Sequence, residues 1–374
     1  MNNQVYLDYN ASSPLRKTAR DAIIHILGIE NAALNASSVH SFGREGRKIV
    51  EQARRNVAAL IGADPNQVIF NSGATEGNNT TLHHFAENFP DEKIAVCATE
   101  HPSVLQVIKG TIIIPVETNG LISPKTLDRV LNGNKPVSLV SIQYANSETG
   151  AIQNVSELSK IVHKHGALLH CDATQAAGRI PINMAESGID FLTLSAHKIG
   201  GPQGIGALAL GSCGQTPTLL LGGGQEKSTR AGTENVAGIA GFGAAAKESR
   251  EYLNHNKTLG TWRDAMEEKL AALCPNIIIH AKNAARLPNT SFFSIPGTQA
   301  QNLLMALDLE GIAVSNGSAC SSGSIKPSAA LKAMGCSENI AKSALRVSTG
   351  WATKESDIDA FLNAVEKIVK RIKK

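Results

Sequence analysis

Phe191-Leu192-Thr193-Leu194-Ser195-Ala196-His197-Lys198-Ile199-Gly200-Gly201-Pro202-Gln203-Gly204-Ile205-Gly206-Ala207-Leu208-Ala209-Leu210 reads as strand, loop and strand. The short apolar runs at 191–194 and 207–210 suit buried strands. The glycines and the proline between them exclude a helix. Lys198 therefore stands just past the end of a buried strand. Low-dielectric walls disfavour the ammonium form of such a lysine, and its neutral amine can form a Schiff base with a carbonyl. The commonest carbonyl cofactor held in this way is pyridoxal 5′-phosphate. Alone, the stretch favours an exposed loop lysine; the rest of the chain reverses that.

Outward from Lys198, strands and helices alternate. Strands are expected over 68–70, 94–97, 112–114, 137–144 and 167–171, besides the two already named. Helices are expected over 17–26, 43–60, 76–87, 103–109, 123–131 and 155–165. Ser123 caps its helix with Pro124 at the first position, and Gly62 ends the helix before it. This alternation predicts an α/β fold, with a mostly parallel, seven-stranded sheet between helices. Residues 236–272 read as helical throughout. A smaller α+β unit follows, with strands over 277–279, 291–295, 313–314 and 345–347 and helices over 300–309 and from 357 onward. The expected division is a large domain over 16–257 and a small one built from 1–15 and 258–374. Ligands of such sheets bind beyond the carboxyl ends of the strands.

Composition narrows the classes. A chain of 374 residues with 42% apolar and 18% charged residues fits a globular enzyme. A net charge of +4 does not argue for nucleic acid, and no apolar run reaches membrane-spanning length. The start carries no basic segment ahead of an apolar one, so no secretory signal is expected. The six cysteines, at 97, 171, 213, 274, 320 and 336, form no Cys-x-x-Cys pair. Neither structural zinc nor a disulfide framework is favoured, and a reducing cytoplasm is the expected location.

The residues with chemistry in them lie at strand ends. Asn71-Ser72-Gly73-Ala74-Thr75-Glu76 joins a strand to a helix and suits a phosphate, or else is an ordinary cap at Thr75. His101 follows the next strand and could stack on an aromatic ring or move protons. Asp172 ends an apolar strand; a protonated pyridine nitrogen would give it a cation, and a cap is the plainer reading. Gln175 could then bond the ring hydroxyl. Asn146 lies in another strand-end turn and could reach the ring oxygen or the substrate. Arg346 stands inside an apolar strand and needs an anion, either a substrate carboxylate or a structural partner. Cys320 lies among small and polar residues, Asn316 to Ser324, unlike a structural cysteine. Such a loop could carry a thiol into a site and out again.

Together these segments resemble the cysteine desulfurases, class V of the fold type I pyridoxal-phosphate enzymes. The motifs are Tyr6-Leu7-Asp8-Tyr9-Asn10, Ser72-Gly73-Ala74-Thr75-Glu76, Glu100-His101, Cys171-Asp172-Ala173-Thr174-Gln175, Ser195-Ala196-His197-Lys198, Arg230-Ala231-Gly232-Thr233-Glu234-Asn235 and Gly317-Ser318-Ala319-Cys320. They keep the family's order over nearly the whole chain. The long Gly-Ser-Ala-Cys-Ser-Ser loop is similar to that of the subgroup tied to nitrogenase and general iron–sulfur cluster assembly.

The resemblance implies a homodimer that binds pyridoxal 5′-phosphate and turns L-cysteine into L-alanine and an enzyme persulfide. It implies Lys198 as the Schiff-base lysine, Asp172 on the pyridine nitrogen and Gln175 on the ring oxygen. Thr75, Ser195, His197 and the backbone of Ala74 would hold the phosphate, with Thr233 reaching the partner subunit's phosphate site. His101 would stack on the ring and shuttle protons. Asn146 and Arg346, with Asn10, would bind the carboxylate end of the substrate, and Cys320 would be the nucleophile. The implied sulfur acceptor is a protein such as an iron–sulfur scaffold; no nucleic-acid or membrane partner is implied. No resident metal is expected, only transient ligation of a cluster by Cys320. Two departures stand out. The first motif continues Ala11-Ser12-Ser13 where the family often has two threonines. The chain also ends soon after its last helix, without the longer extension that helps housekeeping members dock their scaffold. Selenocysteine lyase and aminotransferase remain the alternatives within the fold, although an aminotransferase needs no loop cysteine.

Overall fold

The computed structural model describes residues 4–30, 33–133, 135–317 and 327–372. In chain order the elements begin with β1 (Val5–Tyr6), α1 (Lys17–Leu27), α2 (Ser41–Ile61), β2 (Val68–Asn71) and α3 (Ala74–Asn88). Next come β3 (Lys93–Cys97), α4 (Pro102–Leu105), β4 (Ile112–Ile114), α5 (Pro124–Leu131), β5 (Val137–Ser141), α6 (Val155–Lys164) and β6 (Leu168–Asp172). Then follow β7 (Phe191–Ser195), β8 (Gly206–Leu210), a short turn α7 (Gln225–Ser228), α8 (Val236–Glu251) and α9 (Asn256–Leu273). The chain closes with β9 (Ile278–Ile279), β10 (Thr290–Ser294), α10 (Ala300–Leu309), β11 (Ile312–Ala313), α11 (Ala329–Ala333), α12 (Glu338–Lys342), β12 (Ala344–Ser348) and α13 (Glu355–Ile372).

Seven strands form the large sheet in the order β2-β8-β7-β6-β5-β3-β4. All neighbours are parallel except β8, which runs against both β2 and β7. Strands β2, β5 and β7 are buried along their whole length, as expected when helices cover both faces. One core lies under α2 and α8, around Val57, Phe70, Leu194 and Phe242; another lies under α3, around Leu82, Phe85, Val96 and Phe191. The chain leaves β3 for β4 on one side and returns through β5 on the other. That makes the β3/β5 edge a topological switch point, where such sheets bind ligands.

A separate antiparallel sheet, β12-β10-β9, carries its own core with α9, α10 and α13, around Phe293, Leu303, Leu345 and Phe361. The N-terminal segment joins this part: β1 pairs in parallel with β11, Asp8 bridges Ser348, and Leu7 lies in that core.

Three expectations change. The helix expected at 103–109 is only the turn Pro102–Leu105, because β-branched Val107 and Ile108 and the left-handed Gly110 follow it. The helix expected over 236–272 is two, α8 and α9, broken at Leu253–His255. There Asn256 turns its side-chain amide to the carbonyls of Gly178 and Arg179. The strand expected at 137–144 stops at Ser141, where the chain turns into the Asn146 loop.

Candidate active site

The carboxyl ends of β2, β3, β5, β6 and β7 open on one edge of the large sheet. Lys198 ends a 3₁₀ turn, Ala196–Lys198, directly after β7. The N-terminal segment lies across that turn. Ser13 N–H donates to the His197 carbonyl at 2.9 Å and Ser13 Oγ to the Lys198 carbonyl at 2.8 Å. Lys198 Nζ donates to the carbonyls of Asn10 at 2.6 Å and Ala11 at 2.8 Å. Burial lowers its pKa to about 7, with help from the charges of Arg179 and Arg346 and against those of Asp8 and Asp172. His197 beside it shares a hydrogen bond of 3.1 Å with Ser12 Oγ and is held neutral, its pKa lowered to about 4 by burial and then by Lys198.

Asp172 ends β6 and is 7% exposed. Its Oδ1 accepts from the Thr174 N–H at 2.9 Å and its Oδ2 from Asn78 Nδ2 at 2.9 Å. It therefore does fix a turn, as the plainer reading has it, and its charge also acts on Glu100 and His101. Asn78 Nδ2 donates as well to Ser103 Oγ at 2.9 Å, and that hydroxyl lies 2.8 Å from His101 Nδ1. One hydrogen-bonded chain thus runs from Asp172 through Asn78 and Ser103 to His101. His101 caps α4, accepting the Ser103 N–H at Nδ1, which leaves Nε2 as its second ring nitrogen. Desolvation lowers the pKa of His101, Asp172 raises it and Lys198 lowers it. Behind Asp172, buried His170 bridges Ser141 Oγ at 2.8 Å and Thr193 Oγ1 at 3.0 Å and stays neutral, its pKa lowered to about 4 by burial. Buried Glu100 nearby is pushed well above the usual carboxylate range by desolvation and by Asp172.

The segment 72–76 is a cradle. No side chain caps α3: its cap residue is Gly73, not Thr75. The N–H groups of the first turn have no intrahelical acceptor and favour an anion. Gly73 has φ 151°, and a Cβ there would meet nothing within 4 Å, so the space above the helix start is open. Glu76 holds the cradle in place, accepting the Ser72 N–H at 2.9 Å and pairing with Arg230 Nε at 2.9 Å. Ser195 lies buried at the end of β7. Thr233 is exposed on the loop that follows Arg230.

Gln175 donates from Nε2 to the Asn10 carbonyl at 3.0 Å, sharing that acceptor with Lys198. One of its two amide N–H groups remains for a ring oxygen. Arg346, 4% exposed, donates from Nη1 to the Ser147 carbonyl at 3.0 Å and from Nη2 to Asp8 Oδ1 at 2.7 Å. The structural ion pair weighed for it therefore exists, yet its Nε is buried without a partner. Asn10 and Asn146, expected at the substrate, are hydrogen-bonded within the chain. Asn10 Nδ2 donates to Ser147 and Thr290, and its Oδ1 accepts from Asn289. Asn146 Oδ1 accepts the N–H groups of Glu148 and Thr149, and its Nδ2 donates to the Thr99 carbonyl. Both side chains are committed to shaping the turns around the cleft. Cys320 lies outside the described residues; its segment starts after Gly317, just past the bridge between Ser315 and Arg346.

The donor set fits a phosphorylated, ring-nitrogen aldehyde. An open helix start would take its phosphate, a buried carboxylate its ring nitrogen and a near-neutral lysine its carbonyl. The partnerless buried atoms Asn78 Oδ1, Thr174 Oγ1 and Arg346 Nε add unused hydrogen-bonding capacity around it. Asn78, Ser103, Arg179 and Asp8 were not singled out from sequence. Asn78 had a signal: it interrupts the buried stripe of Leu82 and Phe85, at i, i+4 and i+7 on α3. Among the described residues no cluster of His, Cys, Asp and Glu suits a metal, and no helix is long and apolar enough to cross a membrane.

The chain is similar to known proteins over its whole length. The family model for aminotransferase class-V matches residues 5–361. A cysteine desulfurase IscS of Dictyoglomus turgidum is 37% identical over 383 residues, covering 100% of this chain and 96% of that protein. A cysteine desulfurase of a Nostoc species is 38% identical over 378 residues, covering 99% and 94%. Among solved structures, a NifS-like protein from Rickettsia africae has a TM-score of 0.89 at 38% identity, covering 98% of this chain and 100% of that one.

Proposed function

This chain belongs to the class-V aminotransferase family, among its cysteine desulfurases, and from that premise we propose that Lys198 carries the cofactor and Cys320 receives the sulfur. The family is pyridoxal-phosphate dependent. The observation that carries the reading is Lys198 itself: a strand-end amine with a pKa of about 7, bonded among the described residues to two carbonyls, in one cleft with Asp172.

The net reaction is L-cysteine plus an enzyme thiol giving L-alanine plus an enzyme persulfide. Bound pyridoxal phosphate supplies the electron sink that lets the α-carbon lose a proton and the carbon–sulfur bond break. Asp172 holds the ring nitrogen protonated, its carboxylate kept from turning by Thr174 and Asn78. Gln175 bonds the ring oxygen. The α3 start with Ala74 and Thr75, together with Ser195 and His197, receives the phosphate. Lys198 Nζ and His101 Nε2 would take up and return the protons. Arg346 binds the substrate carboxylate with Asn146 and Asn10, its partnerless Nε supporting that role. The Cys320 thiolate attacks the substrate sulfur; with an ordinary thiol pKa of about 8.5, it needs activation near neutral pH.

Sulfide and alanine production from L-cysteine, with and without a reductant, tests the reaction. Cys320→Ser should keep the cofactor's absorbance but lose sulfide release, and the wild type should show one added sulfur on Cys320 by mass spectrometry. Undiminished sulfide from the variant would make the loop cysteine incidental.

Arg346→Lys keeps the charge and loses the planar fork. As a carboxylate clamp, it should raise the KM for cysteine roughly tenfold or more, about the worth of one charged hydrogen bond, with the melting temperature near wild type. If Arg346 only pairs with Asp8, stability should fall and the KM should hold.

The same reading includes a homodimer in which Thr233 reaches the partner subunit's phosphate site. It also includes the division into 16–257 and 1–15 with 258–374, and a protein sulfur acceptor. The separate core of the small sheet, with β1 and Leu7 in it, supports the division. A crystal structure of the loaded enzyme tests it along with Thr233: a boundary elsewhere, or Thr233 far from any phosphate, refutes them. The free thiols of Cys97, Cys171, Cys213 and Cys336 support a cytoplasmic location, which cell fractionation would check.

A further inference from the structure

Arg179 follows the Asp172 loop, is 8% exposed and has no acidic partner among the described residues. Its Nη1 donates to the Gln175 carbonyl at 2.8 Å and to the Gln175 carboxamide oxygen. Its Nη2 donates to the carbonyls of Tyr9 at 3.3 Å and Lys198 at 3.5 Å. Every one of these acceptors is neutral, and burial, with the charge of Arg346, lowers its pKa to about 9. A buried guanidinium without a counter-ion is costly, and such groups are ordinarily paired. The other buried arginines show the ordinary arrangement: Arg16 pairs with Glu248, Arg54 with Glu226 and Arg346 with Asp8.

What the acceptors share is Lys198. Tyr9 precedes Asn10, whose carbonyl takes both Lys198 Nζ and Gln175 Nε2. Gln175 is held at its oxygen by Arg179, so its amide nitrogen must face the lysine side. The third carbonyl is that of Lys198 itself. The amine is also bonded in a telling way. A neutral amine has two N–H donors and one lone pair, and an ammonium has three donors and none. Nζ has two carbonyl acceptors, at 2.6 and 2.8 Å, which fit the two donors and leave the lone pair free.

We propose that Arg179 is a positioning residue for Lys198: its unpaired guanidinium ties the backbones of Tyr9, Gln175 and Lys198 together and sets a fixed positive charge behind the amine, which holds it as the free base. This deepens the reading of Lys198 as the cofactor lysine. The charged and titratable groups that act on or around the amine are Arg179 after the β6 loop, Arg346 on β12, Asp8 in the N-terminal segment, Asp172 on β6, His101 at α4 and His197 beside it. Of the positive groups Arg179 acts most strongly after burial, and Arg346 is partly offset by its own pairing with Asp8.

The test reads the amine directly. The full-length chain, freed of bound cofactor, is reductively methylated with formaldehyde and cyanoborohydride across the range from about pH 5 to about pH 10, where an amine near neutrality titrates. The extent at Lys198 is followed by peptide mass spectrometry. Wild type should show a midpoint near 7. Arg179→Gln, or Arg179→Met should the first not fold, should move it up by about one unit or more, as expected when one nearby charge is lost. Arg179→Lys keeps the charge and should stay within a few tenths of wild type. Equal midpoints in wild type and the neutral variants, whatever their melting temperatures, would reduce Arg179 to a structural brace and overturn the proposal. Because the amine is read without cofactor, that failure is distinct from Lys198 not being the cofactor lysine. Borohydride labelling of the loaded enzyme decides the latter.

Discussion

Lys198→Ala should lose covalently held cofactor and lower cysteine turnover by roughly a thousandfold or more, the scale of losing a group that both anchors the reactant and moves its proton. Stability should change little. The substitution removes two hydrogen bonds to the Asn10 and Ala11 carbonyls, but also an amine whose charged form burial disfavours. The wild type should absorb near the visible edge, lose that band on borohydride reduction and carry the label on Lys198. The sign with pH follows from the lowered pKa. Lys198 is protonated below about 7 and neutral above it, so capture of the cofactor by the apoprotein should slow as pH falls through that value. A borohydride label on another lysine would sink the assignment.

The alternation of strands and helices was enough to place Lys198, Asp172 and His101 at strand ends of one sheet, because ends follow from pattern alone. Direction does not. An apolar run at 207–210 reads the same in either sense, so the antiparallel placement of β8 came only with the structure. Nor does pattern show what a polar side chain touches. Asn146 looked available because turns favour asparagine; the structure gives its side chain partners in the neighbouring backbone, and that of Asn10, placed by resemblance alone, partners in backbone and hydroxyl groups. Arg346 looked like a carboxylate clamp or an ion pair; the ion pair to Asp8 is present, and Nε is left partnerless. Asp8 lies 338 positions from Arg346, a separation that no local reading of sequence bridges. Arg179 was silent for the opposite reason. An arginine in a turn is usually solvated, and only three-dimensional packing removes both its water and any counter-ion.

Asp172→Ala should cut turnover by about 10²–10³-fold, the usual scale for removing one preorganised electrostatic partner of the reacting group. This variant alone is ambiguous. It also strips acceptors from the Thr174 N–H and Asn78 Nδ2, and each buried donor left unsatisfied costs about 1–3 kcal/mol. A fall in activity could then follow from a loosened turn. Asp172→Asn separates the two effects. Its carboxamide oxygen still accepts from Thr174, and its NH2 can donate to the partnerless Asn78 Oδ1 once that carboxamide turns over, so the turn is kept while the negative charge that would hold a ring nitrogen protonated is gone. If the charge matters, the asparagine variant should be nearly as slow as the alanine one, weaken cofactor retention and melt close to wild type. The chain from Asp172 through Asn78 and Ser103 to His101 adds a second readout. Asp172 raises the His101 pKa, so removing the charge should move the His101 titration down, visible by NMR of the imidazole. A variant with asparagine at this position that keeps normal turnover would show that Asp172 only fixes the turn after β6.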